Sequence, residues 1–386
     1  MALVNADLGD GRRAALRLRG ARILGLGTPA RGDAVVDLHG DRLLPGLINA
    51  HDHLQLNTFP PLSYPVRYRN AGEWIRDFNA RLRAHTAVRQ AAAAPRRQRL
   101  LAGGLKNLLS GVTTVAHHDP FDDLLAEAAF PCHVLREYGW AHSLYVDGAA
   151  AVRAACAATP AHQPWIIHAA EGTDATAQAE FEQLRHLGCL RANTLLVHGV
   201  ALDPQQRQQL GDCGAGLIWC PSSNLRLLGR TADVHVLAER RCVALGSDSR
   251  LTADGDLLDE LRVAAACVPS LRENLERLVT SDAARLLRLA DRGVLLAGAA
   301  ADLVVIPAAA SLAELARRDV RLVLRDGQPL YADGDYARQL GGDWVELEVD
   351  GRRKFLAAHV AEPLAVAAVT LPGVSLPAAA GRAACG

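Results

Sequence analysis

Apolar and polar positions fall into two textures along this chain, with a change near residue 46. Upstream, Ala14-Ala-Leu-Arg-Leu-Arg alternates apolar and charged side chains, as a half-buried strand does. Gly25-Leu-Gly and Arg31-Gly-Asp supply turns, and Ala34-Val-Val-Asp-Leu starts another strand. The pattern predicts a β-meander over residues 1–45 with no helix of useful length.

Downstream, short apolar runs alternate with helical stretches. The runs are Gly46–Ala50, Val112–Ala116, Cys132–Leu135, Trp165–Ile167, Thr194–Val197, Gly216–Trp219 and Val243–Gly246, with Ser143–Val146 as an eighth. Between them lie helix-like segments such as Arg97–Leu109, Ala175–Leu187, Asp203–Gly211 and Leu257–Ala266. Strands buried on both faces and separated by helices indicate a parallel sheet, and eight of them point to a closed (β/α)8 barrel over residues 46–299. Further on, Gly293 begins a turn into the strand at Leu303. Val320–Leu324 and Pro329–Tyr331, split by Asp326-Gly327, read as a hairpin. These strands can complete the sheet begun by residues 1–45, so residues 1–45 and 300–345 form one small discontinuous domain. Residues 346–386 are left as a C-terminal extension, whose part from about Glu362 is rich in Ala, Pro and Gly and is expected to be mobile or loosely draped.

Composition bounds the function. The chain has 386 residues, 50% of them hydrophobic; a barrel of this type takes roughly 250, which leaves room for the second module. Acidic and basic residues balance at 42 each. That gives no electrostatic reason to expect nucleic acid or an acidic membrane surface, and small neutral or mildly charged substrates fit better. None of the eight cysteines forms a C-x-x-C pair, so they read as buried, reduced thiols. No apolar stretch is long enough to span a membrane and the first residues lack a leader pattern, so a soluble, cytoplasmic protein is expected.

Four of the strand-like runs end in a group able to bind metal or move protons. His51 and His53 close the first, and residues i and i+2 of a strand share a side. Trp165-Ile-Ile-His168 ends in an imidazole, with Glu171 three residues on. Thr194-Leu-Leu-Val-His198 ends in another, and Val243-Ala-Leu-Gly-Ser-Asp248 in a carboxylate. Barrel enzymes build their sites at that end of the strands. Mixed imidazole and carboxylate donors suit zinc or ferrous iron, whereas magnesium and calcium prefer all-oxygen shells. A serine hydrolase would need a G-x-S-x-G elbow, which the chain lacks.

These motifs resemble the amidohydrolase superfamily, in its mononuclear cytosine deaminase, guanine deaminase and triazine hydrolase branch. The resemblance rests on Pro45-Gly-Leu-Ile-Asn-Ala-His51-Asp52-His53, His168-x-x-Glu171, His198 and Ser247-Asp248. Cys220-Pro-Ser-Ser-Asn-Leu-Arg-Leu and Gly298-Ala-Ala-Ala-Asp-Leu-Val-Val support it. It implies a TIM-type barrel with a small β-sandwich built from both chain ends. It also implies one divalent ion, zinc or alternatively ferrous iron, held by His51, His53, His168 and Asp248. Glu171 would carry protons between the attacking water and the departing nitrogen. His198 would hydrogen-bond the attacking hydroxide or the oxyanion, and Asp248 would also accept a proton from the water. Homodimers are common in this branch. No carbamylated lysine is suggested, since lysines are few and none follows a barrel strand.

The implied activity is hydrolysis of a C–N bond in a nitrogen heterocycle or cyclic amidine, by deamination. Ring opening, as in imidazolonepropionase-like enzymes, and dehalogenation use the same residues; a catalytically silent metal-binding scaffold is the remote alternative. The chain departs from the branch in two places. The interval between Cys132–Leu135 and Trp165 is trimmed, and Thr113-Thr-Val-Ala-His117-His118-Asp119-Pro lies outside the common pattern. His117 and His118 are therefore candidates for substrate selection, as are Trp140 and Arg226. Tyr64, Arg67 and Tyr68 follow the His51–His53 strand where a substrate loop would lie, without a motif to assign them.

Overall fold

Eight short strands follow one another in chain order in the computed structural model, which describes residues 1–9, 11–60, 62, 67–253, 255–308 and 310–376. They are β1 (Leu47–Asp52), β2 (Val112–His117), β3 (His133–Val134), β4 (Gly139–Ser143), β5 (Trp165–Ala169), β6 (Thr194–His198), β7 (Gly216–Trp219) and β8 (Val243–Leu245). β1, β2 and β3 pair in parallel as one sheet, and β4 to β8 as another. The two sheets meet where Asp52 bridges Asp248 in parallel. There Asp248 N–H donates to His51 O at 3.0 Å and His53 N–H to Asp248 O at 3.3 Å. Between β3 and β4 no backbone ladder joins the described residues. That seam is tied instead by His118 Nε2 on Ala141 O at 2.9 Å and by the Tyr138 hydroxyl on His117 O.

Alternate strand residues make an inner core: Ile48, Ala50, Ala116, Ile166, Leu195, Val197, Ile218 and Ala244 are buried in one cluster. Strict alternation from Ala50 would turn His51 outward. A register irregularity between Asn49 and Asp52 prevents this. Such a bulge re-aims side chains beside active sites, and here it leaves His51 and His53 facing inward with Asp52 on the outside. β8 can approach only because residue 246 is glycine: a Cβ there would lie 2.6 Å from His51 Cβ.

The eighth strand lies earlier than its sequence suggests. Ser143–Val146 was the expected run, whereas the strand is Gly139–Ser143 and Ser143 caps the helix Leu144–Ala158. Glycine and histidine at 139 and 142 break up the apolar signal of the true strand. Three helices matter for the site: α1 (Ala71–Ala84), α2 (Arg96–Leu109) and α3 (Ala175–His186). No described helix is long and apolar enough to cross a membrane.

An eleven-stranded sheet draws on both chain ends. Arg42–Pro45 pairs antiparallel with Leu303–Ile306, which joins the N-terminal strands to the C-terminal ones. The boundary read at 345 falls inside a strand, Trp344–Val349, which pairs with Arg352–Ala357 and extends the same sheet. Glu362 sits in the helix Ala358–Val366, whose Val360 and Leu364 are buried, so this stretch is packed. Tyr64 and residues 377–386 lie outside the described residues.

α3 buries Ala177, Phe181 and Leu184 at helical spacing. Beside them the Glu180 carboxylate accepts from Ala170 N–H at 2.7 Å. Burial pushes its pKa up to about 7, with the negative charges of Glu171 and Asp174 adding to the rise. A raised acid favours the folded state while protonated, so its contribution fades as pH climbs from the ordinary carboxylate range through 7. Glu180→Gln is therefore expected to raise stability at pH 8 by about 1–2 kcal/mol and to change little at pH 4.5. Thermal melts at the two pH values check this; an equal shift at both would refute it.

Candidate metal centre

Three imidazoles and one carboxylate converge where the strands end. His168 Nε2 lies 3.2 Å from His51 Nε2 and 3.3 Å from His53 Nε2. Asp248 Oδ1 stands 3.9 Å from both His51 Nε2 and His53 Nε2. Four donors around zinc at its usual bond length are separated by about 3.3–3.4 Å, so these spacings match a single ion.

The partners of the opposite nitrogens indicate which atoms would face an ion. His53 Nδ1 meets Asp119 Oδ2 at 2.7 Å, and His168 Nδ1 meets the His142 carbonyl at 2.8 Å. His51 Nδ1 lies 3.3 Å from His118 Nδ1. His118 spends its Nε2 proton on the Ala141 carbonyl, so its Nδ1 is an acceptor and His51 donates. Each Nδ1 thus carries a proton outward and each Nε2 presents a lone pair inward, the arrangement in which outer partners fix ligand histidines. Three lone pairs and a carboxylate at such range repel one another unless a cation lies between them. The residues fit a divalent metal.

Electrostatics agree. Burial and neighbouring imidazoles hold His51, His118 and His168 well below the ordinary histidine range. His53 resists the same burial, because the charges of Asp119 and Asp248 raise it to about 9. The pocket therefore favours one positive charge, which a second proton on His53 Nε2 can supply and which a metal ion would replace. Asp248 keeps Oδ1 for the centre because Thr252 Oγ1 donates to its Oδ2 at 2.9 Å.

Glu171 and His198 sit beside this quartet, with Glu171 Oε2 3.8 Å from His198 Nε2. Burial raises the Glu171 carboxyl above its usual range, which suits a group that takes and returns a proton. His198 Nδ1 donates to Asn224 Oδ1 at 2.9 Å, so its Nε2 faces the site. His198 and Asp248 hold positive φ angles of 75° and 51°. Histidine and aspartate enter that region more readily than most side chains.

A cavity of about 110 Å³ opens onto the quartet. Its walls include His53, Asp119, His168, Glu171, His198 and Asp248, joined by Leu56, Trp74, Ile75, His142, Ser249 and Thr252. Trp74 and Ile75 come from α1, which is anchored to the site by Ala71 N–H on Glu171 O at 2.9 Å. Sequence reasoning passed over these two, although Asn70, which caps Glu73 N–H, marks the start of their helix.

The four substrate candidates do not line this cavity. His118 stands behind His51, and Trp140 packs edge-on against His118 at 5.4 Å. His117 is buried on the outer side of β2, where Leu54 N–H donates to its Nδ1. Arg226 binds the Ala253 carbonyl at 2.9 Å. A larger cavity, about 450 Å³, lies beside Thr114 and Leu287 toward the strands' other ends. The nearby acids Asp302 and Asp326 already face Arg292 and His133, so size does not choose the site.

Residues 140–330 match the model of the Amidohydrolase family. The 5-methylthioadenosine/S-adenosylhomocysteine deaminase of Halobacterium salinarum is 28% identical, covering 81% of this chain and 86% of its own length. The 8-oxoguanine deaminase of Pseudomonas aeruginosa is 33% identical over 32% of this chain and 29% of its own. Among solved structures, atrazine chlorohydrolase from Arthrobacter aurescens complexed with zinc gives a TM-score of 0.70 at 19% identity, covering 86% of this chain and 95% of that one. The 5-methylcytosine deaminase from Klebsiella pneumoniae gives 0.66 at 20% identity, covering 86% and 98%. At these identities the structural likeness establishes the fold, an α/β fold of the TIM-barrel type.

Proposed function

Because the chain carries an amidohydrolase family domain, we propose that it is a metal-dependent hydrolase that deaminates a nitrogen heterocycle or cyclic amidine. The observation that carries this is the convergence of three Nε2 lone pairs and Asp248 Oδ1, with Glu171 and His198 alongside. His51, His53, His168 and Asp248 hold one divalent ion, zinc in the first instance and ferrous iron as the alternative. Bound there, the ion supplies Lewis acidity that brings the pKa of water toward neutrality.

Every other part of the reaction falls to side chains. Glu171, as a carboxylate whose affinity for protons is raised by burial, takes a proton from the water and then, as the acid, delivers it to the departing nitrogen, so ammonia leaves uncharged. His198, bound through Nδ1 to Asn224, offers Nε2 to the reacting oxygen. Trp74, Ile75 and Leu56 give the substrate an apolar wall and exclude bulk water. Deamination over other hydrolysis is supported by the deaminases among the relatives. The second reading, displacement of a halide, has its support in the chlorohydrolase among the structural neighbours.

The same proposal takes β1–β8 as a closed barrel over residues 46–299. The eleven-stranded sheet would fold as the small discontinuous sandwich of residues 1–45 and 300–345, continued here to the strands near 375. A homodimer in the cytoplasm belongs to it as well and rests on the family resemblance alone. The test is a panel of aminated and halogenated heterocycles offered to zinc- or iron-loaded protein, with ammonia and halide measured. Ammonia release in proportion to product is expected, and turnover without ammonia would sink the deaminase reading.

A further inference from the structure

The ligands come from elements that barely share backbone. His51 lies on β1 and His53 just after it, Asp248 follows β8, and a single bridge joins the two. Beyond the two backbone hydrogen bonds between Asp248 and His51 and His53, polar side chains on the outer face tie these elements together. Asp52, turned away from the cavity, is fully buried and accepts from several neighbours. Asn107 Nδ2 donates to it at 2.7 Å, Asn57 Nδ2 at 2.8 Å, and Asn49 Nδ2 at 3.3 Å. Lys106 Nζ, on α2, stands 2.9 Å from Asp52 Oδ2 and 3.0 Å from Ser247 Oγ. One ammonium therefore touches the residue between the two histidines and the residue before Asp248.

The choice of lysine is informative. Of 42 basic residues only Lys106 and Lys354 are lysines; all others are arginine. Lys106 is 1% exposed on a helix whose facing groups are Asp52 and Ser247. A compact ammonium can sit between two acceptors where a planar guanidinium fork would force them apart. Asn49 reinforces the join, since its Oδ1 accepts from Ser247 N–H at 3.0 Å.

We propose that Lys106 is a positioning residue for the metal centre, clamping the His51–His53 strand to the Asp248 turn through Asp52 and Ser247. This rests on reading those three residues as ligands. The clamp acts on ligand spacing, so its loss shows in ion affinity and in the ligand field, apart from any loss of fold.

The experiment compares wild type, Lys106→Met and the double variant Lys106→Met/Asp52→Asn. Zinc affinity is measured by chelator competition, the visible spectrum after loading with Co2+, and stability by thermal melting. Lys106→Met is expected to bind zinc about tenfold more weakly, the lower end of the range for losing an outer partner of a metal ligand because it acts one contact further out, with an altered Co2+ spectrum. It also melts earlier, because Asp52 is left buried without its counter-charge. The double variant removes that lone charge and recovers most of the melting temperature, yet zinc affinity and spectrum stay perturbed. Recovery of affinity together with melting temperature would reduce Lys106 to a structural role and overturn the proposal. So would zinc affinity within twofold of wild type in Lys106→Met. A wild type that takes up neither zinc nor ferrous iron removes the ligand reading itself, and the clamp with it.

Discussion

Glu171→Gln is expected to cut turnover by about two to four orders of magnitude while the bound ion stays in place. Glutamine matches glutamate in size and fills the same buried position, so the quartet of His51, His53, His168 and Asp248 is undisturbed. What disappears is the ability to take a proton and give it back. Glu171 stands 3.8 Å from His198 Nε2 and outside the ligand quartet, so its loss should not release metal. Metal analysis and kcat measured on the same preparation check both halves. Activity close to wild type would refute the assigned proton carrier, and loss of the ion would make Glu171 a ligand instead.

His168→Ala is the counterpart that removes the ion. Its Nε2 is the donor nearest to both other imidazoles, at 3.2 and 3.3 Å, and its ring stacks on His118 at a centroid distance of 4.3 Å. Alanine leaves two imidazoles and a carboxylate with a gap on the β5 side, where the quartet loses the donor that lies within 3.3 Å of both other imidazoles. Zinc content should fall from near one ion per chain to near none, and turnover should vanish with it. Binding to the native state alone raises stability by about 4 kcal/mol when free ion exceeds Kd a thousandfold. Added zinc should therefore raise the melting temperature of the wild type and leave that of His168→Ala where it was. A variant that still melts later with zinc would place the ion elsewhere.

Much of the candidate centre was legible because its residues sit at strand ends, where an apolar run stops at an imidazole or an acid. His51, His53, His168, His198 and Asp248 all carry that mark, and Glu171 follows one of them closely. The outer partners carried no such mark. His118 and Asp119 were visible as an unusual His-His-Asp, but only coordinates reveal that one orients His51 and the other His53. Lys106 lies in the middle of a helix, and its reach to Asp52 depends on a bulge that no periodicity announces.

Cavity walls were harder still. Trp74 and Ile75 come from a helix outside the strand–helix alternation, and its docking depends on a backbone pairing with the loop at Glu171. Gly139–Ser143 escaped notice because mixed polarity hides an edge strand at the unladdered seam. The tail from about Glu362 looked loose from its small residues, yet Leu364 and Leu371 are buried there. Burial by long-range sheet pairing leaves little trace in local composition.

Both lysines of the chain are 1% exposed, Lys106 behind the metal centre and Lys354 against Asp333. The folded surface accordingly displays no lysine amine at all. Reagents that acylate or crosslink such amines will pass over the native protein, and so will a protease that cuts only after lysine. Any modification at these two positions therefore counts molecules that have opened, one lysine reporting on the barrel and the other on the sheet built from the chain's ends.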